Sequence, residues 1–341
     1  MNPKHSRTIE AAAISDPSRI GILGAGQIVS NVHLPVLKNL PNVEVAYIAD
    51  IDAARGSRLA RFADVPFVRL DLEDARLFTV DVLLLAIPWG ARAPIYEKTR
   101  ALGASQPGLY VEKPFARDLN EHQAILGDHA KASVAAGMQR RWLGSVQCAR
   151  AMVRDELFGS LESINVQFGG LGRILSGDRY SSNVELAGGG ILLEMGVHYI
   201  DAALLILGAE SISLLRKNTV SDGGFDLHTE ATLGITMGNG AFAEMEIEIS
   251  NLKSLQNGIT LVFEKATVRF DLNGETELAV KTHSGMKYAI NANQQWGPNL
   301  PLALFAQQWT RYLEAKASGI ANDANAETSI LTTRVLEALH A

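Results

Sequence analysis

The sequence has only one cysteine among its 341 residues, Cys148, so no disulfide bond can form within the chain. It also lacks any apolar run close to the roughly 18–20 residues needed to cross a bilayer. The N-terminus has no apolar core of a signal peptide, because Glu10 and Asp16 bracket only a short uncharged stretch. We interpret residues 1–18 as a polar tail. These absences predict a cytoplasmic protein with no membrane partner, in a compartment that keeps thiols reduced.

Positive charge is not in excess either. The chain has 31 Lys and Arg residues against 37 Asp and Glu residues, which gives a net charge of −6 and a pI of about 5.8. Proteins that bind nucleic acid or anionic membranes are more often basic, so we expect neither partner. With 47% hydrophobic and 20% charged residues, the composition excludes a disordered chain, a collagen and a coiled-coil rod. At about 150 residues per domain, the length favours two domains.

Apolar strands alternate with helix-like segments over residues 19–138. Largely apolar strands separated by helices are typical of a parallel sheet covered on both faces. We therefore predict an α/β fold whose first domain is a doubly wound, Rossmann-type parallel sheet. The strands are predicted at residues 19–23, 43–49, 82–87, 108–111 and 133–138, and the helices from Gln27 and at residues 53–62, 93–102 and 119–130.

The pattern changes after residue 138. Between residues 211 and 290 apolar and polar residues alternate, most clearly at 243–249 (AEMEIEI), as in strands with one buried face. Asn239-Gly240 is a hairpin turn signal between two such strands. Residues 139–341 are therefore predicted to form an α+β domain for substrate and oligomer contacts, with a large open, mostly antiparallel sheet. Two closing helices could pack back on the first domain, at residues 302–317 and 326–340.

A glycine-rich loop joins the first predicted strand to the following helix. Residues 21–29 read GILGAGQIV, in which Gly24 permits a tight turn and Gly26 lets the backbone approach a pyrophosphate. The helix N-terminus adds free N–H groups and the positive end of its dipole. The third motif position, usually Gly or Ala, is Val29 here. A glycine-rich turn of another doubly wound fold is the alternative to a cofactor loop. We predict dinucleotide contacts from Gly24, Ala25, Gly26, Gln27 and Ile28.

Asp50 stands at the end of the next strand. A carboxylate there can accept hydrogen bonds from both hydroxyls of the adenosine ribose, and it would repel a 2′-phosphate. The sequence therefore favours NAD, while Arg55 lies close enough to leave NADP open. In the alternative interpretation Asp50 only caps the next helix.

Four features follow one another along the chain. They are the glycine loop with His33-Leu34-Pro35 and Asp50, the strand end Ala86-Ile87-Pro88, the tripeptide Glu112-Lys113-Pro114, and residues 188–201 (GGGILLEMGVHYID). In this order they resemble the Gfo/Idh/MocA family of glucose–fructose oxidoreductases and inositol dehydrogenases. The last is similar to the family's Gly-Gly-Gly … Asp-x-Gly-x-His-x-x-Asp segment. The chain departs from the family in two places, because Glu194 replaces the usual Asp and Arg92 replaces a frequent His.

The resemblance implies an NAD(P)-dependent oxidoreductase. It would transfer a hydride between nicotinamide and a hydroxyl or keto carbon of a sugar, sugar derivative or cyclitol, a polyhydroxylated small molecule. The family's pattern places Lys113 between nicotinamide and substrate and makes His198 the proton acceptor, with Glu194 as its acidic partner. A homo-oligomer, dimer or tetramer, is implied through the open sheet. Further cofactor contacts are implied for Ile87, Pro88, Trp89, Glu112 and Lys113.

The residues support this chemistry by themselves. Lys113 ends a predicted parallel strand, at the edge where open α/β sheets bind ligands, and a lysine there can stabilise negative charge on a reacting oxygen. Glu194 and His198 are spaced i, i+4, so on a helix they share a face, and the carboxylate would raise the pKa of the imidazole. Alternatively, Lys113 is exposed before a turn, and His198 is a helix histidine satisfied by Glu194.

Candidate substrate ligands come from both halves of the chain. Tyr180 is one of them, in the polar stretch 178–180, and the alternative for this stretch is a solvated loop without a substrate contact. The histidines lack metal-ligand spacing, so we predict no metal site, and Cys148 is expected to pack rather than react. A second hypothesis is a non-catalytic NAD(P)-binding sensor or regulator, which the departures at the family's Asp and His positions keep open. The predicted substrate contacts are Lys113, Arg141, Tyr180, Glu194 and His198.

Overall fold

The structure, a computed structural model, describes residues 16–171, 184–273, 277–292 and 300–340. Within these ranges the chain forms two sheets flanked by helices. The predicted substrate ligand Tyr180 lies outside the described residues. None of the described helices is both long and apolar enough to cross a membrane.

The first sheet confirms the predicted doubly wound architecture. Its six strands are all parallel, in the order β3-β2-β1-β4-β5-β6, which is the strand order of dinucleotide-binding folds. Strands such as β4 are buried along their whole length, because helices cover a parallel sheet. The strands are β1 (Ser18–Leu23), β2 (Val43–Asp50), β3 (Phe67–Arg69), β4 (Val82–Leu85), β5 (Gly108–Val111) and β6 (Val134–Ala136).

Helices follow most of these strands. After β1, a π-helical turn at Val29–His33 leads into α1 (Leu34–Leu37). Asp52 begins the helix after β2, since its side chain accepts a hydrogen bond from the backbone N of Arg55 at 3.0 Å. The remaining helices of this half are α2 (Ala53–Ala63), α3 (Ala93–Ala101) and α4 (Leu119–Asp128), with 3₁₀ turns at Ala75–Phe78, Trp89–Ala91, Gly103–Ser105 and Lys131–Ser133.

The second sheet is large and mostly antiparallel, as predicted. Its eight strands run in the order β14-β13-β12-β11-β7-β10-β9-β8, and only β7 and β10 pair in parallel. The alternation at residues 243–249 is real, because the apolar members are buried and the glutamates between them are not. The strands are β7 (Leu161–Gly169), β8 (Ala209–Asp222), β9 (Phe225–Met237), β10 (Phe242–Ser250), β11 (Gly258–Phe263), β12 (Ala266–Phe270), β13 (Glu277–Thr282) and β14 (Lys287–Asn291).

Five α-helices lie in the described part of the second half. They are α5 (Gly144–Arg154), after a 3₁₀ turn at Gln139–Trp142, α6 (Val184–Ala187), α7 (Val197–Leu207), α8 (Leu300–Ser318) and α9 (Ile330–His340), which follows a 3₁₀ turn at Ala326–Ser329. The central helix α7 packs against α5 and the sheet.

Helix α8 packs against the first half of the chain. The indole Nε1 of Trp309 donates a hydrogen bond to Nδ1 of His33 at 3.0 Å. Three residues later, the hydroxyl of Tyr312 donates to the backbone oxygen of Ser133 at 2.9 Å. The first contact is buried and the second is partly buried, so α8 is part of the structure around β5.

Candidate active site

The glycine loop after β1 is shaped for close approach of a ligand. Gly24 has a φ of 109°, and a Cβ there would strike the carbonyl oxygen of Ala86, so only glycine suits this turn. A Cβ on Gly26 would meet nothing within 4 Å, which leaves open space over this residue. Val29, in place of the usual small residue, is fully buried and begins a π-helical turn. The loop thus has the backbone shape and the room that a pyrophosphate requires.

Asp50 ties this loop to the end of β2. One carboxylate oxygen accepts from the backbone N of Ala25 at 2.7 Å, and the other accepts from the backbone N of Asp52 at 2.8 Å. Arg55 donates its Nη2 to the second oxygen at 2.8 Å, while 46% of its side chain stays exposed. The predicted ribose ligand therefore lies beside the glycine loop, with a partly exposed cation next to it.

Lys113 follows β5, at the same edge of the sheet as the glycine loop. Its Nζ donates a hydrogen bond to the backbone oxygen of Glu194 at 2.7 Å, which joins the two halves of the chain. The Lys113–Pro114 peptide bond is cis. Burial lowers the pKa of Lys113, and the charges of Glu112 and Glu194 oppose this shift without cancelling it. A lysine with a lowered pKa exchanges its proton more readily near neutral pH.

Arg92 stands where the family often has a histidine, and it supports the backbone around Lys113. Its Nη1 donates to the carbonyl oxygens of Glu112 at 2.7 Å and Pro114 at 2.6 Å. Its Nε donates to the carbonyl oxygen of Ile87 at 3.2 Å, and the side chain is buried. An imidazole has at most two donors, so a histidine could not bridge three carbonyl groups. This departure from the family therefore joins the ends of β4 and β5.

Glu112 is predicted to contact the cofactor, but its buried carboxylate is engaged within the protein. Oε1 accepts a hydrogen bond from Nε2 of His33 at 2.8 Å, and Oε2 accepts from the backbone N of Lys113 at 3.1 Å. Burial by itself would raise the pKa of Glu112. The hydrogen bond from His33 and the nearby charges of Lys113 and Arg92 outweigh burial, so the pKa is lowered. In the sequence His33 appears only as part of a motif, and its hydrogen bond to Glu112 is not predicted.

Trp89 connects the cofactor edge to the glycine run of the second half. It begins a 3₁₀ turn directly after Ile87 and Pro88, at the end of β4. A Cβ on Gly188 would lie 2.8 Å from its ring. The indole Nε1 is buried and has no hydrogen-bond partner among the described residues. A buried donor without a partner is typical of a site where a bound ligand supplies the hydrogen-bond acceptor.

His198 lies in the first turn of α7 and is only 5% exposed. Its Nδ1 is buried and unpartnered within the described part of the chain. Burial, followed by the charges of Arg140 and Lys113, holds the pKa of His198 well below its ordinary value. The imidazole is therefore neutral at pH 7, and the prediction of a raised pKa is wrong.

Glu194 explains this difference. It lies in a π-helical turn, Leu192–Gly196, ahead of α7, and its side chain is exposed. A π-turn is wider than the 3.6 residues per turn of an α-helix, so the face predicted for Glu194 and His198 is not preserved. The charge of Glu194 acts on Lys113 instead, where it raises the pKa. The structure thus brings Glu194 to the lysine rather than to the imidazole.

Asp226 of β9 anchors the start of this helical segment. Its carboxylate oxygens accept from the backbone N of Gly190 at 2.6 Å and of Leu192 at 2.7 Å. These are the free donors of a helix N-terminus, where a negative charge is also favoured. A Cβ on Gly190 would strike the backbone oxygen of Asp226, so this glycine is required by close approach. The glycine run therefore lets β9 hold the helix that carries His198.

Arg141 is not placed to contact a substrate, contrary to the prediction. It is 2% exposed, and its Nε and Nη2 each donate to a carboxylate oxygen of Asp201 at 2.6 Å. Its Nη1 donates to the backbone oxygen of Asp323 at 2.8 Å. Asp201 lies on α7, and the donors of Arg141 bind groups inside the protein. The Arg141–Asp201 ion pair therefore joins α7 to the C-terminal region.

Arg140, the preceding residue, is the arginine that acts on the site. Its charge lowers the pKa values of both His198 and Lys113. Its guanidinium carbon lies 5.9 Å from the centre of the Tyr199 ring, and its Nη1 donates to the side chain of Asn273 at 3.4 Å. The sequence shows two adjacent arginines, and only the fold distinguishes the one beside the imidazole.

Comparison with known proteins places both halves in one family. The oxidoreductase family with an NAD-binding Rossmann fold matches residues 18–139, and the GFO/IDH/MocA C-terminal domain matches residues 146–269. The inositol 2-dehydrogenase of Rhizobium meliloti is 25% identical over 200 residues, covering 58% of this chain and 57% of that protein. The dTDP-3,4-didehydro-2,6-dideoxy-alpha-D-glucose 3-reductase of Streptomyces violaceoruber is 29% identical over 256 residues, covering 72% of this chain and 69% of that protein.

Solved structures show the same fold. An oxidoreductase from Agrobacterium radiobacter, solved in complex with NAD+, L-tartaric acid and magnesium, matches with a TM-score of 0.74 and 19% identity over 95% of both chains. The two family matches follow each other in the order that the motifs predict and together cover most of the chain. The chain therefore belongs to the GFO/IDH/MocA family of oxidoreductases and carries its NAD-binding Rossmann domain.

Proposed function

We propose that this protein transfers a hydride between the nicotinamide of NAD(P) and a hydroxyl or keto carbon of a sugar, sugar derivative or cyclitol. The observation that carries the proposal is the convergence of Lys113 and His198. They come from different halves of the chain, the charge of Lys113 lowers the pKa of His198, and burial lowers the pKa values of both groups. Such pairs of perturbed groups are typical of acid–base sites. The substrates named for the inositol dehydrogenase and the deoxyhexose reductase support the substrate class.

The roles of the two side chains follow from their protonation. Bound NAD would supply the hydride acceptor at its nicotinamide ring. Lys113, as a cation, can donate a hydrogen bond to the substrate oxygen and stabilise negative charge as it develops. His198 is neutral at pH 7 and offers an unpartnered nitrogen, so it can accept the hydroxyl proton in oxidation and return it in reduction. Arg140 adds positive potential beside both groups.

A substrate panel tests this proposal directly. The protein is incubated with NAD or NADP and with polyols, aldoses, sugar nucleotides and cyclitols, and the absorbance of reduced nicotinamide is followed. We expect oxidation of at least one member of the panel. Binding of the cofactor without turnover of any member, in either direction, would count against the enzyme and in favour of the sensor hypothesis.

We propose NAD as the preferred cofactor, and Arg55 is the residue that tests the preference. Removal of its exposed cation in Arg55→Ala should weaken NADPH binding by about tenfold, or ~1.4 kcal/mol, since a 2′-phosphate would then meet only the carboxylate of Asp50. NADH binding should change by less than about threefold, a difference well under 1 kcal/mol. Fluorescence titration with both reduced cofactors measures the two affinities.

The matched control is Arg58→Ala, which removes an exposed arginine from the same helix. Neither affinity should change in this variant. Tighter binding of NADPH than of NADH by the unmodified protein would overturn the preference for NAD.

We also propose a homo-oligomer formed through the open face of the second sheet. Lys253 donates to Glu230 at 3.0 Å and to Glu248 at 2.9 Å, and Arg216 lies 3.7 Å from Glu246. These cations offset part of the negative charge of the face, which reduces its repulsion of a second copy. Light scattering should give a dimer or tetramer mass, and a mass of 36.8 kDa, that of one chain, would overturn this proposal.

A further inference from the structure

A buried line of three side chains leads from helix α8 to Lys113. Trp309 and His33 are fully buried, and Glu112 is 8% exposed. The indole Nε1 lies 3.0 Å from Nδ1 of His33, and Nε2 of His33 lies 2.8 Å from Oε1 of Glu112. The other oxygen of Glu112 accepts from the backbone N of Lys113 at 3.1 Å. The line therefore ends on the residue proposed to meet the reacting oxygen.

The chemistry of these groups fixes where the protons lie. An indole N–H can only donate, so Nδ1 of His33 must be the acceptor and carries no proton. The proton of the neutral imidazole is then on Nε2, which donates to Glu112. A carboxylate that accepts from both His33 and Lys113 is held in its ionised form.

Aromatic packing keeps the imidazole from turning over. The ring of Trp309 stacks on Tyr110, with centroids 4.1 Å apart and planes 15° from parallel. His33 meets the rings of Tyr110 and Phe305 edge-on, at centroid distances of 5.4 Å and 5.1 Å. A flipped ring would need the same space and would lose both hydrogen bonds, so this arrangement specifies one tautomer.

We infer that His33 and Trp309 are positioning residues for Lys113, because they hold Glu112 ionised and aimed at the backbone of the lysine. The inference rests on the proposed function, because it concerns Lys113, the residue proposed to donate a hydrogen bond to the reacting oxygen of the substrate. It predicts that α8, which is distant in sequence from the glycine loop, influences the charge state of Lys113.

The sign of the effect follows from the charges around Lys113. Burial lowers the pKa of the lysine, and the negative charge of Glu112 is the largest group effect that raises it. If His33 is lost, Glu112 loses the hydrogen bond that opposes the effect of burial, so the pKa of Glu112 should rise. The pKa of Lys113 should then fall further as Glu112 loses negative charge. The charged or titratable groups that face this lysine or its carboxylate partner are Glu112, Glu194, Arg92, Arg140, His198, His33 and Tyr110.

The test is an NMR titration of the full-length protein without cofactor or substrate. The ¹³Cε signal of Lys113, assigned by its absence in Lys113→Arg, gives the midpoint of deprotonation. We expect His33→Leu to lower this midpoint by about one pH unit or more, the scale of a lost neighbouring charge. Trp309→Phe keeps an aromatic ring but removes the indole donor, so it should lower the midpoint by a smaller amount. Glu112→Gln should lower it as much as His33→Leu, and the double variant should add nothing.

The matched control is Trp142→Phe. Trp142 is also buried, and its Nε1 donates to Gln308, the residue next to Trp309 on α8. This variant removes an equivalent indole donor that does not lead to Lys113. The lysine midpoint should stay unchanged even if the melting temperature falls, which separates positioning from general loss of stability.

Two outcomes would overturn the inference. One is an unchanged Lys113 midpoint in folded Trp309→Phe and His33→Leu. The other is a ¹⁵N spectrum of the unmodified protein that shows the proton of His33 on Nδ1. If His33→Leu fails to fold, Trp309→Phe and the ¹⁵N spectrum still decide. Because the titration needs no turnover, a protein that oxidises no polyol but shows the expected shifts would refute only the proposed function.

Discussion

Replacing Lys113 with methionine should lower kcat/KM by about 10²–10⁴-fold, the range expected for a group that moves or shares a proton in the transition state. Methionine keeps a long flexible side chain but removes the Nζ that now donates to the backbone of Glu194. The developing alkoxide then loses its cationic donor, so kcat should fall at least as much as kcat/KM. Initial rates at saturating NAD, with the best substrate of the panel, give the ratio.

Lys98→Met is the control for this substitution. Lys98 lies on α3 and pairs with Glu73 at the surface, with 40% of its side chain exposed. The control should keep its rate within about twofold and its stability within ~0.5 kcal/mol, as surface changes usually do. A Lys113→Met protein that binds NAD and turns over at the rate of this control would remove Lys113 from the mechanism.

The largest effect on stability is expected from Arg141. Arg141→Met should lower the free energy of unfolding by about 3–5 kcal/mol, because Asp201 would remain buried without its ion partner. The two bonds of 2.6 Å between these side chains are both lost, and among the described residues only Thr332 still donates a side-chain hydrogen bond to the carboxylate, at 2.9 Å. Denaturant unfolding of the two proteins measures the difference.

Arg154→Met provides the comparison. Arg154 also pairs with an aspartate, Asp155, but their side chains are 71% and 57% exposed. Its loss should cost far less than that of Arg141, because exposed ion pairs contribute little to stability. The double variant Arg141→Met, Asp201→Leu should recover part of the lost stability, since no unpaired charge stays buried. Equal losses for Arg141→Met and Arg154→Met would contradict the structural role given to Arg141.

Much of the fold follows from local patterns in the sequence. The apolar strands of the first half, the glycine loop and the Asn239-Gly240 turn are local signals, and they predict the two sheets. Strand β7 is not predicted, although its apolar residues alternate, because it stands alone between helices. Its partners, β10 and β11, lie far along the chain, and pairing over such distances leaves no nearby turn signal.

The positions of Lys113, His198 and Asp50 could be predicted because each belongs to a single local motif in the sequence. The role of His33 depends on Glu112 and Trp309, which are remote in sequence and meet only in the folded chain. The π-turn ahead of α7 has the same apolar spacing as an α-helix, so the side-chain direction of Glu194 could not be read from an i, i+4 pattern.

The central claim is that this chain moves a hydride between nicotinamide and a carbon that bears oxygen. The most direct measurement uses a substrate from the panel with deuterium on the carbon to be oxidised, and mass spectrometry of the nicotinamide afterwards. We predict that the deuterium is found on the reduced nicotinamide and that Lys113→Met slows its transfer. Deuterium that is lost to water, or a cofactor that binds and stays unlabelled with every substrate, would contradict the account.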